Sequence, residues 1–383
     1  MKKFIKYISI VILYLSFNTH IFAQETIKIG LLVPLSGENK KIGESIINTT
    51  RMALNSIDNN KIVIYPRDSK SDPNEALIVS KNLNEKYGVE IIIGPVFSET
   101  ALYLNELPNI TFLSFTNKLE NNHKNVISTG VNALSQMIAI KKFLSLNDYN
   151  KTLYLIPNSK FKNEIQNAIS SANIKIKKKF IYDTDPTLLT AQIEKITKYP
   201  QRKQNLLDEI KRVENSNDPN KEKKIENLKM RDTIGGIDFD SVVMSDFDEG
   251  LKSLATSLLY TDVSSKRVAY VTLNQWFDKS LINEEALQPI YFPSVNKENY
   301  EKFISDYKKE FKEIPNHISF LSYDLTGLVY YLLLKNNFEI DTDIFYKKNK
   351  FRGKIGIFEI NQNKITHELS FYSVENKKFK KIF

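Results

Sequence analysis

From Ile27 onward, short runs of β-branched residues alternate with longer segments whose apolar residues recur at helical spacing. No other feature restricts the fold as much, because consecutive strands separated by helices can only pair in parallel, with the helices laid over the sheet faces. "IKIGLLVPL" reads as a strand ending in Pro34, and the segment after it as a helix with Ile46, Ile47, Met52, Ala53, Leu54 and Ile57 near a 3.6-residue period. "KIVIYPRDS" is a second strand, "DPNEALIVSKNLNEKYG" a helix with Pro73 in its first turn and Gly88 past its end. "VEIIIG" and "ITFLSFT" are the third and fourth strands, with "SETALYLNEL" expected as the helix between them. A second run of the same kind starts near Ala133, with strands at "TLYLIP", "IKIKKKFIY", "FDSVVMSD" and "RVAYVTL". The C-terminal "RGKIGIFEINQNKITHELSFYSVENKKF" alternates about a polar Asn361-Gln362-Asn363 turn and predicts a hairpin.

With 383 residues and 42% hydrophobic content, the chain can bury two cores at roughly 100–200 residues per domain. The expected division is an α/β fold of two doubly wound parallel-sheet lobes with a cleft between them. Lobe one takes residues 24–120 with 290–336, and lobe two takes 121–289 with 337–383. One segment interrupts the order: residues 198–232 hold ten basic and seven acidic residues around Asn215-Ser216-Asn217-Asp218-Pro219-Asn220. Leu206, Leu207, Ile210 and Val213 precede that turn at helical spacing, so a charged helical hairpin inserted in lobe two is expected, with few core positions.

In an open parallel sheet, ligands bind beyond the carboxyl ends of the strands. The turns there contain Ser36, Gly94, Ser98, Ser114 and Thr116 in the first lobe and Asp246, Trp276 and Asp278 in the second. A strand that stops at Gly94 lets the backbone approach a ligand, and a helix start at Ser98 would offer free N–H groups and a hydroxyl. Such a corner suits an anion, most simply a small carboxylate-bearing ligand.

Residues 1–23 carry Lys2, Lys3 and Lys6 before an apolar run from Ile8 to Phe17 and end on Ala23, the pattern of a signal peptide cleaved near Ala23. The formal charge of +9 includes those three lysines, so the remaining chain is only mildly basic, and no basic patch interleaved with aromatics calls for nucleic acid. No cysteine is present, which excludes disulfides, thiolate metal sites and the lipid-bearing cysteine of a lipoprotein. A soluble periplasmic protein is expected. The apolar "FLSYDLTGLVYYLLL" is shorter than the ~20 residues of a membrane span and contains Asp324, so it reads as a buried helix. His123, His317 and His367 fall in no metal-ligand spacing and read as surface or loop histidines. With no nucleophile elbow, P-loop or dinucleotide fingerprint, neither a catalytic site nor a cofactor is expected.

"IKIGLLVPLSG" with "IGESIINTTRMALNSI", "PRDSKSDPNEAL", "IIIGPVFSE" and "FRGKIGIFEINQNKI" together resemble the type 1 periplasmic binding proteins, the leucine-binding superfamily. The resemblance implies that Ser98, Ser114 and Thr116 hold an amino-acid carboxylate. The second-lobe tyrosine and acid of amino-acid binders have no clear equivalent among Asp246, Phe247, Trp276 and Asp278. "GPVFSE", the charged insertion, "LNQWFDKS", "SFLSYDLTG" and "FRGKIGIFEI" resemble more narrowly the alphaproteobacterial penicillin-binding protein activators. That likeness implies a non-enzymatic protein that stimulates a peptidoglycan synthase. The wider likeness implies the substrate-binding component of an ABC importer, with a permease as partner.

Overall fold

A computed structural model describes residues 26–118, 123–354 and 356–383; the expected signal peptide lies outside the described residues. The first half runs β1 (Ile27–Val33), α1 (Lys40–Ile57), β2 (Ile62–Asp68), α2 (Pro73–Tyr87), β3 (Ile91–Ile93), β4 (Thr111–Ser114) and β5 (Val126–Ser128). Local chemistry sets these boundaries. At α2 the Asp72 carboxylate accepts from the Glu75 amide, Pro73 stands in the first turn and Gly88 ends the helix in the left-handed region.

The chain continues through α3 (Ala133–Leu146), β6 (Thr152–Pro157), α4 (Lys162–Ser171), β7 (Lys178–Tyr182), α5 (Pro186–Thr197), α6 (Tyr199–Glu214), α7 (Lys221–Lys229), β8 (Ser241–Met244), α8 (Asp248–Tyr260) and β9 (Ala269–Thr272). It then forms α9 (Ser280–Asn283), β10 (Ile290–Ser294), α10 (Lys297–Phe311), α11 (Ser319–Lys335), β11 (Asn349–Arg352), β12 (Ile357–Asn361), β13 (Lys364–Glu368), β14 (Ser370–Glu375) and β15 (Lys378–Lys381).

Two sheets result, in the orders β11-β12-β13-β5-β4-β3-β1-β2 and β15-β14-β10-β9-β8-β6-β7. The parallel parts share one winding, since β2-β1-β3-β4-β5 and β7-β6-β8-β9-β10 place their strands in the same sequence. The strands of the C-terminal half divide differently from the sequence expectation. β10 pairs with β9 and β14 in the second sheet, whereas β11 to β13 extend the first. Helices α10 and α11 nevertheless pack on α1 of the first lobe, where Thr50 Oγ1 and Ser322 Oγ lie 2.7 Å apart. α11 is the apolar stretch around Asp324 and is largely buried. No helix among the described residues is long and apolar enough to cross a membrane.

Between Glu99 and Glu106 there are only two short 3-10 turns where the sequence predicts a helix. The buried side chains of the segment, Thr100, Ala101 and Leu104, meet the sheet without a helical period long enough to sustain an α-helix.

The insertion folds as the pair α6 and α7, but it is anchored. Arg202 is 2% exposed and donates to the carbonyls of Thr197 and Thr261, to Thr233 Oγ1 and to the Asp262 carboxylate at 3.2 Å. The expectation that the segment gives little to the core therefore holds for α7, which has no buried residue, and fails for α6.

The chain passes between the sheets three times: after β5, after β10 and at Leu369 between β13 and β14. The first turn of α3 ties these passages together. Asn132 Nδ2 donates to the Ile365 carbonyl, Ser135 Oγ accepts from the His367 amide, and Gln136 Oε1 accepts from the Asn274 amide at 2.8 Å. Asn274 in turn accepts from Ser294 at the end of β10. His367 thus sits buried on β13, not at the surface, with Nε2 2.9 Å from the Thr129 carbonyl and Nδ1 without a partner. Burial holds its pKa down at about 4, against a hydrogen bond to Thr129 that raises it. Between pH 6.5 and 4 the unfolded chain takes up a proton that the folded chain refuses, so stability falls as pH falls, by on the order of 3 kcal/mol over the window. His367→Asn should remove that component: urea midpoints measured from pH 7 to 4.5 should fall less steeply for the variant, and equal slopes would refute the assignment.

Candidate functional site

Strand order reverses between β1 and β3 in one sheet and between β6 and β8 in the other, the switch points where open sheets leave a crevice. The first sheet presents the turns after Val33 and Ile93 there; the second presents those after Pro157 and Met244, with Phe161 39% and Phe247 38% exposed.

Gly94 is demanded by close approach. Its φ is +119°, and a Cβ at this position would stand 2.1 Å from the Leu32 carbonyl oxygen, so no other residue fits. The hydroxyls gathered around it are hydrogen-bonded within the protein. Ser98 Oγ donates to the Glu99 carboxylate at 3.1 Å, Ser114 Oγ to the Pro95 carbonyl at 2.9 Å, and Thr116 Oγ1 to the Lys118 carbonyl at 2.7 Å. Ser36 hydrogen-bonds Asp68. Burial raises the Asp68 pKa, but that bond and those from the Leu35 and Lys70 amides outweigh it and leave the carboxyl below its usual range. Glu99 is also held low, first by its own amide and then by Ser98, with Lys160 and Lys118 adding attraction against a modest burial cost. Ser98 provides no side-chain cap. What the corner keeps is backbone, since the amides of Val96, Phe97 and Ser98 have no backbone acceptor among the described residues.

The second-lobe residues have their own duties. Asp246 Oδ2 accepts from the buried Tyr182 hydroxyl at 2.5 Å, and burial with the adjacent carboxylate pushes the Tyr182 pKa far up. Asp278 accepts from both the amide and the hydroxyl of Ser280 at the start of the short α9. Trp276 packs its ring against Tyr300 on α10 and His317, 6.2 and 5.1 Å between centroids, which makes it a contact from the second sheet to helices of the first lobe. It and Phe277 both have left-handed backbone, φ +47° and +59°, an arrangement costly for bulky residues and held by the Asn274 side chain accepting from the Trp276 amide.

Beside the hinge, a cavity of about 680 Å³ opens between the lobes. From the first lobe it is bordered by Asn117, Lys118, Asn363 and Lys364, and from the second by Lys160, Asn163, Glu164 and Asn167. None of the eight residues expected at the site lines it. The sequence did carry a signal, since positions 160, 163, 164, 167 and 171 recur at helical spacing and are all polar, but a polar helix face is ordinarily a solvated one. Only the placement of a second lobe opposite it makes it a wall. No group of three or more histidine, aspartate or glutamate side chains among the described residues is arranged to hold a metal.

Residues 26–176 match the model of a family described as periplasmic binding protein. No curated protein matches the chain. Among solved structures, a protein from Rhodospirillum rubrum assigned to branched-chain amino acid ABC transport aligns at 12% identity with a TM-score of 0.71, over 93% of this chain and 100% of that one. The branched-chain amino acid substrate-binding protein LivJ of Streptococcus pneumoniae, in complex with isoleucine, aligns at 19% identity and a TM-score of 0.56 over 93% and 98%. The C-domain of LpoA from Haemophilus influenzae, a regulator of PBP1A, aligns at 13% identity and a TM-score of 0.60 over 93% and 100%. Two sheets of one winding, three passages between them and the sequence match over residues 26–176 together identify the chain as having the type 1 periplasmic-binding-protein fold.

Proposed function

We propose that the protein is a non-enzymatic periplasmic binding protein that acts through a protein partner, a peptidoglycan synthase, as penicillin-binding protein activators do. The observation that carries this reading is the state of the Gly94 corner. A receptor for an amino acid holds the ligand carboxylate with hydrogen-bond donors turned toward it, hydroxyls among them. Here the Ser98 hydroxyl is spent on Glu99, which sets an ionised carboxylate beside the corner where a second one would have to enter. Like charges at such a distance disfavour each other. The likeness to the LpoA C-domain agrees with this reading. The mature protein would reside in the periplasm after cleavage near Ala23, without a lipid anchor.

The rival is an importer's substrate-binding component, favoured by the free amides of Val96 to Ser98 and by the transport proteins among the structural relatives. The two readings part in a melting screen. A receptor gains about 2.7 kcal/mol at a hundredfold excess of ligand over Kd. The activator reading expects no shift with any of the protein amino acids, and a saturable shift with one of them would decide for the importer.

The insertion is the partner-facing device in this proposal, with α7 as the exposed arm. Removing all of 198–232 takes away Arg202 and leaves the buried Thr261 carbonyl without its donor, while Asp262 keeps Arg267 and Thr233, so that deletion should cost about 1–3 kcal/mol. Removing only 216–230, bridged by about six glycine and serine residues, should leave the melting temperature nearly unchanged and abolish binding to the synthase domain in a calorimetric titration. Retained binding by the shortened protein would clear α7 of that role.

A further inference from the structure

The cavity beside the hinge has a chemistry of its own. Asn163 and Asn167 lie one turn apart on α4, and neither their amides nor that of Asn117 has a hydrogen-bond partner among the described residues. An amide offers a donor pair and an acceptor side by side, which matches a pair of neighbouring hydroxyl groups better than it matches water alone or an apolar body. Two ammonium groups, Lys160 and Lys364, border the same space with one carboxyl, Glu164, and beside them lies Lys118, which already has a partner. That carboxyl is partly spoken for: burial raises its pKa, while Lys118 and a hydrogen bond from the Ala133 amide lower it. The cavity is therefore cationic, rich in amides and open from both lobes, and its volume of about 680 Å³ falls in the range of small-molecule sites, roughly 300–1,000 Å³.

We infer that this cavity binds a sugar acid, its hydroxyls on the asparagine amides and its carboxylate beside Lys160 and Lys364. The ligand would touch α4 on one side and the Asn117 and Lys364 turns on the other, and so would favour the arrangement of the lobes in which both walls meet it. The inference stands on the cavity's own groups and holds whichever partner the protein serves. Free sugar acids and the acidic end of a glycan chain share the chemistry.

The test is isothermal titration of the full mature chain with glucuronate and N-acetylmuramic acid, and with glucose, N-acetylglucosamine and lactate as matched controls. Both acids should bind at least tenfold more tightly than their neutral counterparts and than lactate. Asn163→Ala with Asn167→Ala, and separately Lys364→Glu, should each weaken the acids at least tenfold. All three positions are exposed, so melting temperatures should be unchanged, which separates lost binding from lost fold. A disaccharide ending in N-acetylmuramic acid that binds more tightly than the monosaccharide assigns the site to a glycan end, and weaker binding assigns it to the free acid. No binding of either acid, equal binding of neutral sugars or lactate, or acid binding that survives both variants would overturn the inference.

Discussion

The three passages between the sheets of this molecule are tied together at the first turn of α3. Asn132, Ser135 and Gln136 stand on successive faces of that turn and reach the other passages: Asn132 and Ser135 the end of β13, Gln136 the loop after β9. These bonds are buried or nearly so, where an unmade one leaves a group unsatisfied at a cost of about 1–3 kcal/mol. The network therefore specifies one relation between the sheets more firmly than apolar packing alone would. His367 belongs to it and brings a cost, an imidazole whose protonation burial disfavours.

The same economy governs the crevice. The hydroxyls of Ser98, Ser114 and Thr116 at the first switch point find acceptors within the protein, and the loops there are stiffened by their own side chains. Ser114 and Thr116 hold the turn after β4, while Ser128 and Thr129 donate back to the carbonyls of Thr116 and Ser114. A ligand carboxylate arriving at this corner would have to compete with bonds already made. The amide-bearing face of α4 is the opposite case, with polar groups presented and unspent. In the inference drawn above, the binding site lies toward the hinge and not at the switch point.

Much of the fold was legible in the residues. The β–α alternation gave the parallel sheets, Asp72-Pro73 and Gly88 bracketed α2, and the Asn361–Asn363 turn marked the hairpin of β12 and β13. Strand membership was harder to read. β10 and β13 follow similar sequence cues, and which sheet each joins depends on passages whose geometry no local pattern encodes. "SETALYLNEL" has helical propensity that the sheet contact of Thr100 and Leu104 overrides. At the site, Gly94 announced itself, but the direction in which Ser98 points depends on Glu99, and the duty of Trp276 depends on Tyr300 and His317, distant in sequence. Arg202 could not be told from the solvated cations around it, because its acceptors come from Thr197, Thr233, Thr261 and Asp262.

The central claim is that the lobes do not close on an amino acid at the Gly94 corner. The chain has no cysteine, so Asn82→Cys on α2 and Thr256→Cys on α8, both exposed, can carry a pair of spin labels without further change. Inter-lobe distance distributions measured with and without saturating isoleucine, leucine or valine should superimpose. A distribution that shortens as one of these amino acids is added would contradict the account.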